Sequence, residues 1–137
     1  MYLKILCVLL AAAFVLTACN KSETPAEVQR DVAKAQADGQ RDVADARADA
    51  KEANADADKN VADAIADDDA DNVTEQARDA NETADEGNDR IMIAQAEAAH
   101  KVAVEKCDAL KGDALEECKD DADKTLERAR DAAKANR

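Results

Sequence analysis

Four cysteines are the residues of this 137-residue chain with the most distinctive chemistry. A thiol can be acylated, oxidised to a disulfide or bound to a metal. Cys107 and Cys118 are too far apart in sequence for a zinc-type pair, and His100 is the only histidine. The sequence contains no recognisable nucleophile or phosphate-binding motif. We therefore predict no metal site, no cofactor, no catalytic residue and no small-molecule substrate, so the protein is not expected to be an enzyme.

The N-terminal segment 1–18 is predicted to be a cleaved signal peptide. Lys4 is the single positive charge of a short n-region. The apolar run Ile5–Leu16 is shorter than the roughly 20 residues that span a bilayer. The segment Leu16-Thr17-Ala18-Cys19 resembles the lipobox of bacterial lipoproteins. The resemblance implies that Cys19 becomes the lipidated N-terminus and that two or more acyl chains anchor it stably. A plain signal peptide is the alternative.

The residue after Cys19 bears on location. In enteric-type lipoproteins an Asp at this position favours the inner membrane, and this chain has Asn20. The resemblance thus implies an outer-membrane lipoprotein that faces the periplasm. In such an oxidising compartment disulfides persist.

Composition predicts an all-α, extended protein. The chain has a formal net charge of −13, three glycines and one proline, and alanine supplies most of its apolar residues. Strong acidity argues against nucleic acid as a partner, because phosphate binding needs clustered Lys and Arg. It also opposes electrostatic binding to anionic lipid. Contact with a membrane is therefore expected through acyl chains.

Residues 19–24 are predicted to be a short lipidated tether and 25–86 an acidic, Ala-rich helical region. Thr24, Pro25 and Glu27 form a capping-box pattern with proline at the first helical position. Accumulated aspartates predict a break near 67–72, after which Asn72 and Glu75 would start a shorter helix. A second break is expected at Glu86-Gly87-Asn88-Asp89.

An 11-residue repeat gives the first helical region a preferred face. The segments that start at Arg30 and Arg41 are identical at seven of 11 positions, and one repeat makes three helical turns. At about 100° per residue, small and β-branched side chains share one stripe. We expect this stripe to bind either a second copy of the chain, which would form a homo-oligomer, or another envelope protein. Its members are Val28, Val32, Ala35, Gly39, Val43, Ala46, Ala50, Ala57, Val61, Ala64 and Ile65.

Residues 89–137 are predicted to form an antiparallel helical hairpin. In one straight helix Cys107 and Cys118 would lie about 16 Å apart, too far for a disulfide. A turn at Gly112, with Asp113 starting the next helix, pairs positions that sum to 225. A Cys107–Cys118 disulfide is favoured over free thiols or intermolecular bridges, and the hairpin is expected to project away from the anchored end. The other pairs are Leu110–Leu115, Ala103–Ala122, Ala99–Leu126 and Ala96–Ala129.

The segment Lys106–Cys118, KCDALKGDALEEC, resembles small Ala-rich proteobacterial envelope lipoproteins that are sometimes labelled TolA-like. The resemblance implies a lipid-anchored helical spacer or protein-interaction module. The alternative is an acidic, partly disordered stress or desiccation protectant, which the 11-residue repeat favours.

Overall fold

The computed structural model describes residues 23–135, which form three helices and no strand. Helix α1 spans Pro25–Ala66, α2 spans Ala70–Cys107 and α3 spans Asp113–Lys134. The predicted all-α class is confirmed. Within the described residues, no helix combines the length and the apolar character needed to cross a membrane.

Helix α1 begins at the predicted capping box. The Thr24 N–H donates to Glu27 Oε2 over 2.8 Å, and the Glu27 N–H donates to Thr24 Oγ1 over 3.4 Å. These bonds satisfy N–H groups that lack partners within the helix. The Thr24 hydroxyl also donates to Glu27 Oε2 over 2.7 Å, and this bond, together with the one from the Thr24 N–H, holds the pKa of Glu27 below its ordinary value. Local chemistry thus fixes where the helix starts.

The predicted break near 67–72 is confirmed as a turn at residues 67–69. Asp68 has φ 56°, a left-handed conformation that Asp tolerates better than most residues. The cap of α2 differs from the prediction, because Asp69 Oδ1 accepts the Asn72 N–H over 3.1 Å. Asn72 therefore lies inside the first turn of α2, and Asp69 is the capping residue.

Helices α1 and α2 pack side by side in antiparallel directions. The Glu23 N–H, before α1, donates to the carbonyl of Asp108, after α2. Farther along, Lys101 Nζ donates to Asp42 Oδ2 over 2.6 Å, and this bond raises the pKa of Lys101. Most of the predicted stripe of α1 is buried or half-buried, but Ile65 is 60% exposed. Ile65 lies one residue before α1 ends, at the edge of the interface.

Two glycines set the distance between α1 and α2. A Cβ added at Gly39 would lie 2.6 Å from Cβ of Ala98, and one added at Gly87 would lie 3.0 Å from Cβ of Ala50. Each helix thus presents one glycine to an alanine of the other. The helix break predicted at Glu86–Asp89 is wrong, because α2 continues through it. Gly87 permits close approach between the helices.

Helix α3 folds back along α2 but does not contact α1. The connection, residues 108–112, ends at Gly112 with φ 57°. Gly112 is the residue immediately before α3, and Asp113 is the first helical residue, so the predicted start of the second arm at Asp113 is confirmed. Since α2 begins at Ala70, the hairpin arm also extends well before residue 89.

Gly39→Ala is predicted to destabilise the protein although alanine is the better helix former. Alanine gains about 1 kcal/mol in helix propensity, whereas forcing the helices apart costs about 1–3 kcal/mol. At Gly39 the added Cβ would also lie 3.0 Å from Cα of Ala98, so backbone must move. At Gly87 the added Cβ would lie 3.0 Å from Cβ of Ala50 but 3.6 Å from its Cα, so a smaller shift of the helices suffices and Gly87→Ala is expected to destabilise the protein less than Gly39→Ala.

Urea unfolding followed by far-ultraviolet circular dichroism measures both variants. Lys51→Ala, at an exposed position of α1, is the control for a change in side chain alone. Equal stability of Gly39→Ala and Gly87→Ala would contradict the proposed role of close approach at Gly39.

Candidate functional site

The disulfide lies at the closed end of the α2–α3 hairpin. Cys107 and Cys118 are bonded, with their Cα atoms 5.7 Å apart. Cys107 is only 1% exposed and is the largest of the fully buried side chains among the described residues. This is the pairing predicted from positions that sum to 225. Cross-linking a loop of this length stabilises a fold by about 2–4 kcal/mol, largely by restricting the unfolded chain.

Three polar pairs join α2 and its end to α3 in nearly the same register. Lys119 Nζ lies 2.7 Å from Asp108 Oδ1, and Arg130 donates to Glu97 over 2.6 Å. His100 Nε2 lies 2.6 Å from Asp123 Oδ1, so the single histidine bridges two helices. Pairs this exposed contribute about 0–1 kcal/mol each. These pairs favour one register of α3 along α2, and the disulfide fixes α3 in that register.

The apolar pairs predicted for the hairpin mostly share one groove between α2 and α3. It has a volume of about 540 Å³, and its lining includes Cys107, Cys118 and three of the four other predicted pairs. Leu110 and Leu115 do not line it. Leu110 lies in the connection and is 39% exposed, because the turn is longer than the predicted one at Gly112 alone.

A second open groove, of about 950 Å³, lies between α1 and α2. Ala99 and Ala103 line both grooves, so they form a common floor on α2. Helices α1 and α3 stand on either side of this floor without touching each other. The result is a shallow trough along the half of α2 that α3 covers.

The closed end of the hairpin lies beside the beginning of α1. The Glu23 N–H and the Asp108 carbonyl are 3.2 Å apart. The predicted direction of the hairpin is therefore wrong, since its disulfide-bonded turn lies at the end of the rod where α1 starts. The acidic turn at residues 67–69 forms the opposite end. The reason is that α2 folds back along α1. The sequence pattern does not determine whether the long helix packs against the hairpin.

Carboxylates gather at this same end of the molecule. Oxygen atoms of Glu23, Asp31 and Glu105 lie within 4.8 Å of one another. Glu23 Oε2 is buried without a hydrogen-bond partner. Partial desolvation, followed by repulsion from Asp31, Asp108 and Glu105, raises the pKa of Glu23 above its usual 4.5. Glu23 thus costs stability once it is ionised, and protonation relieves that repulsion.

Sequence reasoning missed this carboxylate cluster. Glu23 and Glu105 are far apart in the chain, and only the register between α1 and α2 brings them together. The excess of acidic residues in the sequence predicts a negative surface, but it does not predict which carboxylates lie close together. Cys19, with the leader 1–18, lies outside the described residues, so its predicted lipidation stays a prediction.

Comparisons of the chain with protein-family models, curated proteins and solved structures found no match.

Replacing both disulfide cysteines, in Cys107→Ser/Cys118→Ser, is predicted to release α3 before the rest unfolds. Helix α3 packs on α2 alone, and its buried side chains are the small Ala122 and Ala133. The loss of about 2–4 kcal/mol exceeds what exposed ion pairs restore. Limited trypsin digestion should cut α3 first, at Lys119, Lys124 and Arg128, because the protease cleaves a chain that has left its helix.

The matched control is the wild-type protein with its disulfide reduced and its thiols alkylated, which should show the same early cleavage. Mass spectrometry of the unreduced protein establishes the bond at the start. Identical digestion of oxidised and reduced protein would show that the disulfide does not hold α3 in place.

Proposed function

We propose that this chain is a non-enzymatic lipoprotein of the bacterial cell envelope, anchored through acyl chains on Cys19, and that its helices act as a spacer and protein-interaction module. The observation that carries the proposal is the run Leu16-Thr17-Ala18-Cys19 after an apolar leader. An outer-membrane lipoprotein facing the periplasm fits Asn20 better than an inner-membrane one. The resemblance of Lys106–Cys118 to small Ala-rich envelope lipoproteins points the same way.

The geometry of the helices supports a spacer. Helix α1 begins shortly after Cys19, at Pro25, and has 42 residues, which at 1.5 Å each extend about 63 Å. An anchor at Cys19 would therefore hold one end of the rod at the membrane and leave the acidic turn far from it. The described helices form a long and thin rod, and such a shape suits a spacer.

The trough beside Ala99 and Ala103 supports the interaction module. The small side chains of Ala99 and Ala103 permit close approach of another helix, and the exposed Lys106 lines both grooves beside them. Both walls are helices that already hold fixed positions on α2. A catalytic role has less support, because both grooves are open to water, whereas reacting groups are usually held in enclosed pockets.

The alternative, an acidic stress or desiccation protectant, is favoured by the 11-residue repeat at Arg30 and Arg41. That function requires residues 25–86 to be largely disordered in dilute buffer and helical on drying. Circular dichroism of the Cys19→Ser protein without its leader separates the two. Strong helicity in dilute buffer favours the spacer, and helicity gained only on drying or in alcohol favours the protectant.

Cys19→Ser is predicted to abolish acylation of the protein in cells. Serine cannot form the thioether that holds the diacylglycerol, so label from an alkyne-tagged fatty acid should not be incorporated. The wild-type protein should carry the label and fractionate with membranes. In-gel detection after labelling, with fractionation of the envelope, measures both properties.

The matched control is Cys7→Ser, which removes the other cysteine of the N-terminal region. It lies within the leader and should leave labelling of the mature protein unchanged. Label retained in Cys19→Ser but lost in Cys7→Ser would refute the proposed anchor.

A further inference from the structure

We propose that the disulfide-bonded turn, residues 108–112, rests on the surface of a phospholipid bilayer with Leu110 inserted at the interface. The proposal rests on the proposed acylation of Cys19. It adds a second contact with the membrane, made by the folded protein itself, and it assigns an orientation to the whole rod.

The short segment between Cys19 and Glu23 keeps the start of the turn close to the proposed anchor. Four residue steps separate Cys19 from Glu23, and even a fully extended chain spans only about 14 Å over that distance. The Glu23 N–H is bonded to the carbonyl of Asp108, the first residue of the turn. The carbonyl oxygen of Asp108, where the turn begins, must therefore lie within about 14 Å of Cys19 plus the length of one hydrogen bond.

Leu110 is the apolar side chain that this end presents to its surroundings. It is 39% exposed although it lies beside the buried disulfide. Two other large apolar residues in the described chain are similarly exposed, Ile65 and Met92. Ile65 lies at the far end of α1, and Met92 lies within α2, so neither is within reach of the tether. Of the three, Leu110 alone is placed to meet lipid.

The charges around the turn favour a shallow contact with a zwitterionic surface. Glu23, Glu105 and Asp108 lie at this end and would be repelled by anionic headgroups. Lys111 directly follows Leu110 and can keep its ammonium group among phosphates while Leu110 enters the interface. Phosphatidylcholine is therefore a suitable test surface, and added anionic lipid should weaken the contact of the turn.

A single tryptophan tests the proposal cleanly, because the chain has none. The full-length mature lipoprotein carrying Leu110→Trp is reconstituted into phosphatidylcholine vesicles that contain a brominated phospholipid. Its emission is expected to shift to shorter wavelength and to lose most of its intensity relative to vesicles without bromine. Ile65→Trp is the matched control at the opposite end of the rod and is expected to keep its emission.

The outcomes separate this proposal from the one on which it rests. If the lipoprotein floats with the vesicles but Leu110→Trp is not quenched, the turn is not at the surface and the anchor stands. Equal quenching of Ile65→Trp means that the rod lies flat, which also overturns the proposal. If the mature wild-type protein carries no acyl chain and does not float, both proposals fail.

Two further measurements test the contact of the turn independently. A short-wavelength emission of Leu110→Trp in the soluble, unlipidated Cys19→Ser protein would mean that the turn is covered by protein, and would overturn the proposal. In the wild-type lipoprotein, amide hydrogen exchange of residues 108–112 should slow on vesicles while that of 67–69 stays unchanged. Unchanged exchange at 108–112 would contradict the contact without relying on any substitution.

Discussion

The close approach of α1 and α2 is the contact on which the rest of the structure depends. Gly39 faces Ala98, and Gly87 faces Ala50. The spacing from Gly39 to Ala50 on α1 equals that from Gly87 to Ala98 on α2, and both equal the period of the sequence repeat. With few large aliphatic side chains, the helices gain attraction mainly from many short-range contacts between small groups. That attraction falls steeply if the helices separate, so the spacing between them must stay small.

Features with a local cause could be predicted from the sequence. The capping box at Thr24 and Glu27 involves residues three apart, and the aspartates at 67–69 disfavour helix within a few residues. The hairpin register could also be predicted, because apolar residues on both sides of a nearby turn match at mirrored positions. In each of these patterns the interacting residues are close together in the sequence, so the pattern can be recognised without knowing how distant segments pack.

Features that depend on the α1–α2 register could not be predicted. If α2 is shifted along α1 by one 11-residue repeat, the stripe of alanine and valine on α1 presents a similar surface. The stripe therefore does not indicate which residues of α2 lie opposite it. From the sequence alone Gly87 therefore indicates a helix break, since its role in close packing becomes visible only when Ala50 is placed opposite it. The carboxylates of Glu23 and Glu105, and the position of the disulfide beside the start of α1, follow from the same hidden register.

The short α3 gives the molecule two regions of unequal bending stiffness. Three helices lie side by side near the disulfide, whereas only α1 and α2 continue towards the acidic turn, since α3 has 22 residues against 38 in α2. Resistance to bending rises steeply with cross-section, so a sideways force on the acidic turn would bend the two-helix part and leave the three-helix part straight. The molecule is thus built as a stiff base that carries a compliant arm.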